Sequence, residues 1–282
     1  MFHRKPSWLP LGIDVTSDQI SVVAVEAVKG RCTVKAAATE PIPPASGAEG
    51  DLAAADVLRA LRRSLGLGDR RCILGAPSKD VVVREFRIPP RTKRTEAERA
   101  ALLEADSIAS WPSHDRLIAL DPIPGGTSML LSIARASAID RLVRLVKIAD
   151  LNPVAVDAPV CAWRRIAGEA DALLDLRPEG AALFLFGTPV GSMELLPNGA
   201  SDDRLAAHIR AAFMQSRRDG LGDVQNIAFQ GDVAKCAALG ARLGTDGYEL
   251  TPLTLGESVT PSWAFAYALA SWSILGADAL AA

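Results

Sequence analysis

Apolar and polar positions repeat in one pattern twice along the chain. Each copy begins with short apolar runs joined by polar turns, which is typical of a β-meander, and continues with apolar runs that alternate with stretches of helical periodicity. The first copy begins with an apolar run that carries Asp14 at its end, followed by a small polar turn and the apolar run 20–28. The second copy begins near Ala172. Two such segments predict a duplicated α/β fold.

The same periodicities predict the individual elements. Helices with one apolar face are predicted at 51–65, 95–110, 137–150, 159–168, 202–218 and 233–243. Strands are predicted at 20–28, 31–39, 71–76, 80–88, 116–123, 128–135, 153–156, 173–176, 181–186, 191–196, 226–229 and 248–251, besides the run that ends near Asp14. Lys29-Gly30 predicts a hairpin turn, and Thr95 with Glu98 predicts a capping box at the start of the second helix.

The stretch 261–277 contains no charged residue. A membrane-spanning helix needs about 20 strongly apolar residues. This stretch is shorter, rich in Ala and Ser, and followed by Asp278. We therefore expect a buried terminal helix rather than a membrane anchor.

Composition narrows the class of protein. About half of the 282 residues are apolar, which is enough for one large domain or two joined lobes. The net charge is −2, so no basic face of the kind that binds nucleic acid is expected. No apolar segment of a secretory signal follows the basic cluster His3-Arg4-Lys5, which is either a solvated tail or a contact with anionic lipid.

Cysteine and histidine positions predict no metal site. The four cysteines are far apart in the sequence, and the three histidines lack the spacing of zinc ligands. We expect reduced thiols of a cytosolic protein. We also expect no catalytic residue, because the sequence has no Walker A loop, no nucleophile elbow and no Cys–His pair in a recognisable context.

The order of several short segments carries a resemblance to a known family. The segments are Leu11–Val15 with Ile20, Glu40–Pro44, Arg87–Pro89, Leu103–Asp106, Leu131–Arg135, Ile139–Val146 and Leu151–Asp157. Over nearly the whole chain this order resembles the PilM family of type IV pilus assembly proteins, relatives of the cell-division protein FtsA and of GspL/MshI-type platform proteins.

The resemblance implies an actin-like duplicated fold. That fold has two ribonuclease H-like lobes, here with an inserted FtsA/PilM-type subdomain and a reduced second-lobe subdomain. The implied first lobe comprises 8–77, 151–171 and the helix 260–277. The implied insertion comprises 78–150, and the second lobe 172–259.

The resemblance also places a nucleotide site at six residues: Gly12, Asp14, Thr16, Ser17, Asp175 and Gly231. Phosphate-binding turns need glycine, because backbone N–H groups must approach the anion without an intervening Cβ. This chain departs from that pattern at five places: Thr16 replaces a second glycine, Ser21 a lysine, Arg177 another glycine, Ala181-Ala182 a hydroxyl, and Gly231 a glycine pair. A single helix also occupies 196–226, where the family has a further small subdomain.

These departures predict a vestigial site without hydrolysis and without a bound cofactor, because phosphoryl transfer depends on close positioning and charge neutralisation. Binding of ATP with magnesium remains an alternative, with hydroxyl donors from Thr16 and Ser17 and a water-mediated metal contact from Asp175. The structural alternatives are a self-satisfied turn at Thr16 and an ordinary strand-end aspartate at Asp175.

The resemblance implies a partner and a place in the cell. PilM-like proteins are scaffolds on the cytoplasmic face of the bacterial inner membrane, where they bind the N-terminal cytoplasmic tail of a PilN-like bitopic membrane protein. The implied groove lies between the first subdomain and the insertion, with 81–88 and 95–110 as walls. Arg84, Arg87 and Trp111 are the predicted contacts, unless the arginines are ordinary solvated residues of an exposed strand edge. Other pilus platform proteins and self-association remain open as further contacts.

Two other functions remain open at this stage. One is a nucleotide-binding actin-like ATPase that regulates pilus assembly. The other is a GspL-like component of a type II secretion platform. A GspL-like protein would continue into a membrane span and a periplasmic domain, so the sequence that ends after 261–277 favours the pilus function.

Overall fold

The computed structural model describes residues 10–28, 31–89, 91–123, 128–177, 180–186, 191–197, 199–218, 223–255 and 259–272. Within them the strands are β1 Leu11–Val15, β2 Gln19–Val28, β3 Arg31–Pro41, β4 Arg71–Gly75, β5 Val81–Arg87, β6 Arg116–Pro122, β7 Ser128–Arg135, β8 Asn152–Asp157, β9 Ala172–Arg177, β10 Gly180–Leu185, β11 Ser192–Leu196, β12 Asn226–Gly231 and β13 Glu249–Pro252. The α-helices are α1 Gly47–Ser64, α2 Arg94–Ile108, α3 Ala136–Ile148, α4 Pro159–Ile166, α5 Asp202–Arg218, α6 Val233–Leu243 and α7 Ala264–Ala270.

Two five-stranded sheets have the same topology. The first has the order β3-β2-β1-β4-β8 and the second the order β11-β10-β9-β12-β13. In each sheet the first three strands pair as an antiparallel meander, and the last two add in parallel. The two lobes of the predicted actin-like duplicated fold are therefore present in the structure.

Helices cover one face of each sheet because their apolar stripes match the apolar faces of the strands. In the first lobe, α1 and α3 bury Leu58, Leu61 and Val146 against the strands. In the second lobe, α5 and α6 bury Ile209 and Leu239 against the second sheet. Among the described residues between 196 and 226, α5 is the single α-helix, as predicted.

A three-stranded sheet of order β5-β7-β6 lies between the two halves of the first lobe in sequence. Its β7 residues Leu131 and Ile133 are fully buried under α2. We call β5, α2, β6 and β7 the inserted unit. Helix α3, which the predicted bounds place in the insertion, packs against the first sheet instead. The predicted domain bounds otherwise stay a prediction.

The start of α2 corrects one prediction. The helix begins at Arg94, and the backbone N–H of Lys93 donates to Glu96 Oε2 at 3.2 Å. Glu98 instead accepts from Arg94 Nε at 2.9 Å. The predicted capping box of Thr95 and Glu98 is wrong, because the acidic residue that reaches back to the helix start is two positions earlier.

Helices α4 and α7 join the two lobes. Trp163 of α4 is fully buried, with its ring centroid 6.4 Å from that of Phe184 in the second sheet and 5.1 Å from that of Phe265 in α7. Every residue of α7 is buried. The predicted burial of the terminal helix is confirmed for this part, and the rest of 261–277 lies outside the described residues. So do the predicted turn Lys29-Gly30 and the cluster His3-Arg4-Lys5.

Candidate functional site

A cleft between the two lobes is lined by two of the six predicted nucleotide residues, Asp14 and Gly231. Strands β1 and β9, which are equivalent in the two sheets, carry Asp14 and Asp175 close to their ends. A cavity of about 450 Å³ opens there. It is lined by Asp14, Gln19, Leu176, Arg177, Gln230, Gly231, Asp232, Lys235, Pro261, Ser262 and Phe265.

The guanidinium of Arg177 bridges the two carboxylates in this cleft. Its Nη1 donates to Asp14 Oδ2 at 2.7 Å, and its Nε donates to Asp175 Oδ2 at 2.8 Å. The three side chains are only 18%, 11% and 6% exposed for Arg177, Asp14 and Asp175. Charge-assisted bonds of this kind are about twice as strong as neutral ones. One internal cation therefore joins the first lobe to the second.

Two further residues complete this arrangement. Gln230 Nε2 donates to the other oxygen of Asp175 at 2.7 Å. The guanidinium carbon of Arg177 lies 5.0 Å from the centroid of the Phe265 ring, a cation–π distance. Both carboxylate oxygens of Asp175 are therefore occupied by donors of the protein itself.

The pKa of Asp14 reflects competition between burial and charge. Burial raises the pKa above its ordinary value, the Arg177 guanidinium lowers it, and the nearby Asp175 carboxylate raises it again. The net direction is upward. Repulsion from the Asp175 carboxylate therefore adds to the effect of burial, and the Arg177 cation opposes both.

The turn after β1 uses its hydroxyl within itself. Thr16 Oγ1 lies 2.8 Å from Asp18 Oδ1 and 3.0 Å from the Gln19 carbonyl oxygen, and it accepts from Gln19 N at 3.1 Å. This geometry is that of the self-satisfied turn weighed above. Ser17 is exposed at its tip. A role of either residue in binding phosphate stays a prediction.

The two glycines of the predicted site have packing reasons to be glycine. A Cβ on Gly12 would lie 1.8 Å from the carbonyl oxygen of Ala266, so this position lets α7 contact β1. Gly231 has φ +106°, and a Cβ there would lie 1.9 Å from the carbonyl oxygen of Leu176. Neither glycine needs a ligand to account for it.

Ser21, where the family usually has lysine, is buried and bonded on two sides. Its Oγ donates to the Ser262 carbonyl oxygen at 2.9 Å and lies 2.8 Å from Thr39 Oγ1. Only 1% of the residue is exposed. A lysine at this position would have no room for its side chain.

The described part of the chain contains no group of three or more His, Cys, Asp or Glu that could hold a metal ion. Burial raises the pKa of the thiols of Cys72, Cys161 and Cys236 to about 12, so these thiols stay protonated. In the cleft, magnesium would have to displace the guanidinium from both carboxylates. The residues present therefore do not fit a bound Mg–nucleotide.

Sequence reasoning recognised Arg177 as a replaced glycine but missed the arrangement around it. The spacing of Asp175 and Arg177 offered one signal, because residues two apart on a strand share a face. Gln230 and Phe265 offered none, since their contacts depend on how the lobes pack.

The predicted partner contacts lie on different sides of the inserted sheet. Arg84 is opposite Leu131 in the β5–β7 register, so it is on the face covered by α2, as is Trp111. Arg87 is on the other face, which we call the open face, in line with Val83 and Glu85. Arg87 is 85% exposed and forms a 3.4 Å ion pair with Glu85. The three residues do not form one contact surface.

Among the described residues, no helix combines the length and the apolar character needed to cross a membrane. Among solved structures, the chain is similar to one from a PilM–PilN type IV pilus biogenesis complex, with 18% identity, 95% of this chain and 99% of that chain covered, and a TM-score of 0.78. It is also similar to the cytoplasmic domain of EpsL, an inner membrane component of the type II secretion system of Vibrio cholerae. There the identity is 12%, the coverage 94% of each chain and the TM-score 0.58.

A protein with an actin-like ATPase fold from Bacteroides thetaiotaomicron is similar at 9% identity, with 89% of this chain and 93% of that chain covered and a TM-score of 0.52. These likenesses show the fold. No curated protein matches the sequence. The family model described as type IV pilus assembly protein PilM matches residues 12–196, which is more than half of the chain. The chain therefore belongs to the PilM family of type IV pilus assembly proteins.

Proposed function

We propose that this PilM-family protein is a scaffold on the cytoplasmic face of the inner membrane that binds the N-terminal tail of a PilN-like membrane protein without using ATP. The observation that carries the second half of the proposal is the Arg177 bridge between Asp14 and Asp175. This bridge supports the proposal because the negative charges of the cleft are already neutralised by a side chain of the same protein.

Nucleotide binding here would require a costly exchange. A Mg–ATP complex would have to remove the guanidinium from two largely buried carboxylates, and that guanidinium would then need a new partner inside the cleft. Lys235 is the other cation lining the cavity, and it lies in the first turn of α6, where its backbone N–H donates to Asp232 Oδ1 at 3.0 Å. We infer that the chain neither binds nor hydrolyses ATP.

The proposed tail site is the groove between the open face of the inserted unit and the first lobe. At one end of that face, Val81 and Val83 pack in one cluster with Ile139 of α3, Val156 of β8 and Met193 of β11, so this end is fixed against both lobes. From there β5 continues with Glu85 and Arg87 away from this contact. Among the described residues, no strand is paired to the outer edge of β5. An extended tail could add to this edge or lie across the open face.

The matched PilM–PilN complex supports a PilN-like partner, since this chain resembles the PilM family over the segments that form the groove. Other platform proteins, self-association and a type II secretion platform are outcomes that affinity capture with this chain would distinguish.

Calorimetry tests both halves of the proposal. The full chain is titrated with Mg–ATP and, separately, with a synthetic peptide of the N-terminal tail of the PilN-like protein encoded in the same genome. We expect saturable heat with the tail peptide and none with Mg–ATP at millimolar concentration. A scrambled tail peptide is the control. Saturable Mg–ATP binding, or equal binding of the scrambled peptide, would contradict the proposal.

A further inference from the structure

We propose that Arg177 is an internal latch that keeps the two lobes closed over the cleft in the absence of any ligand. This inference rests on the proposed function, because it explains how a scaffold of this family would hold one shape without nucleotide. It adds that the lobe arrangement is built into the chain and is not controlled by a cofactor.

The first step is the placement of the charges. Asp14 belongs to the first sheet and Asp175 to the second, and the guanidinium of Arg177 contacts both at 2.7 and 2.8 Å. The hydrogen bond from Arg177 to Asp14 joins residues 163 positions apart in the chain. It is a direct polar contact between the lobes.

The second step is the effect of removing the cation. The carboxylate of Asp175 raises the pKa of Asp14, so the two negative groups repel each other across the cleft. Without Arg177, two largely buried carboxylates would face each other unneutralised. Breaking a buried pair by removing one partner is costly because an uncompensated charge remains. Opening the cleft to water would relieve that cost.

The third step is the support of the guanidinium. Arg177 stacks over Phe265, and Phe265 belongs to the apolar cluster that also contains Trp163 and Phe184. The latch therefore lies directly beside the apolar contact that joins the lobes. Its planar fork can donate to two carboxylates at once, which an ammonium group cannot reproduce in the same geometry.

Spin-label distance measurements between the lobes test the latch. Labels are placed on Glu40→Cys, an exposed residue at the end of β3 in the first lobe, and on Val233→Cys, an exposed residue at the start of α6 in the second lobe. The half-buried Cys32 and Cys161 are replaced by alanine in every sample. The distance distribution is measured for the parent, Arg177→Met and Arg177→Lys, each with and without Mg–ATP. Arg217→Met is the control, because that arginine is 66% exposed on α5 and lies outside both the cleft and the proposed tail site.

We expect one narrow distribution for the parent, unchanged by Mg–ATP and by Arg217→Met. Arg177→Met should broaden it and shift it to longer distances, with Arg177→Lys between the two. A folded Arg177→Met variant with the parent distribution would overturn the latch, as would a parent distribution that narrows or shifts with Mg–ATP. If Arg177→Met does not fold, the Arg177→Lys variant is used instead, and a folded Arg177→Lys protein with the parent distribution would overturn the latch.

Tail binding is measured on the same samples, so the two proposals can fail separately. A parent that binds no tail peptide contradicts the scaffold function and leaves the latch standing. An unchanged distance in the Arg177 variants contradicts the latch and leaves tail binding standing.

Discussion

The charged side chains of the interlobe cleft and those of the inserted unit differ in burial. In the cleft, Asp14, Asp175 and Arg177 are largely buried and bonded to one another. On the inserted unit, Arg87 is 85% exposed, and the outer edge of β5 carries no paired strand among the described residues. The charged groups of the cleft are bonded to one another, whereas β5 is an edge strand of its sheet. The proposed function therefore assigns recognition of a partner to the inserted unit rather than to the cleft.

The largest expected effect is on stability, at Gly12, where β1 contacts α7. Gly12→Ala should lower the free energy of unfolding by about 3 kcal/mol, because its Cβ would collide with the backbone of α7. Gly68→Ala is the matched control, since a Cβ there meets no atom within 4 Å, and it should change stability by less than about 0.5 kcal/mol. Urea unfolding measures both. Equal stabilities of the two variants would mean that Gly12 is not a packing residue.

The next effect concerns the faces of β5. Arg87→Glu should weaken binding of the tail peptide about tenfold, or about 1.4 kcal/mol, because Arg87 is on the open face. Arg84→Glu is the matched control on the face covered by α2, and it should leave the affinity nearly unchanged. Fluorescence anisotropy of a labelled tail peptide measures both. A loss confined to Arg84→Glu would place the tail on the other face.

A smaller effect is expected from restoring a family residue in the cleft. Thr16→Gly should lower the free energy of unfolding by about 1 kcal/mol, because the hydroxyl bonds of the turn disappear and a flexible residue is added. It should not create Mg–ATP binding, because Arg177 still occupies both carboxylates. Calorimetry measures the binding of Mg–ATP, and urea unfolding measures the stability of the variant. Saturable ATP binding by Thr16→Gly alone would show that Thr16, and not Arg177, closes the site.

The smallest effect is a pH dependence at the base of the inserted unit. Asp115 accepts from the backbone N–H of Ser137 at 2.7 Å and from Arg135 Nε at 3.0 Å, and these bonds hold its pKa below the ordinary value. Its contribution to stability is therefore present above the unfolded-state pKa near 4 and is lost as the pH falls through the lowered folded-state value. Thermal unfolding should show Asp115→Asn less stable than the parent at pH 7, with the difference disappearing in acid. A difference that persists or grows in acid would contradict this assignment.

The periodicity of the sequence was enough to predict the elements and the duplicated fold. Both meanders, the alternating strands and helices and the burial of α7 follow from local patterns that packing did not override. The bridging role of Arg177 could not be predicted, because its contact with Asp14 joins residues 163 positions apart. The bond from Ser21 to the Ser262 carbonyl joins residues 241 positions apart. The capping residue of α2 was missed since Thr95 and Glu98 offered a better local pattern than the residues that the structure uses.

The most direct test of the central claim is the affinity of the tail peptide with and without Mg–ATP. If the cleft is closed by Arg177 and recognition is confined to the inserted unit and the first lobe, the dissociation constant measured on the full chain will be the same in both conditions. A dissociation constant that changes about tenfold, or 1.4 kcal/mol, on adding Mg–ATP would show that the cleft still binds nucleotide and is coupled to the tail site, which would contradict the account.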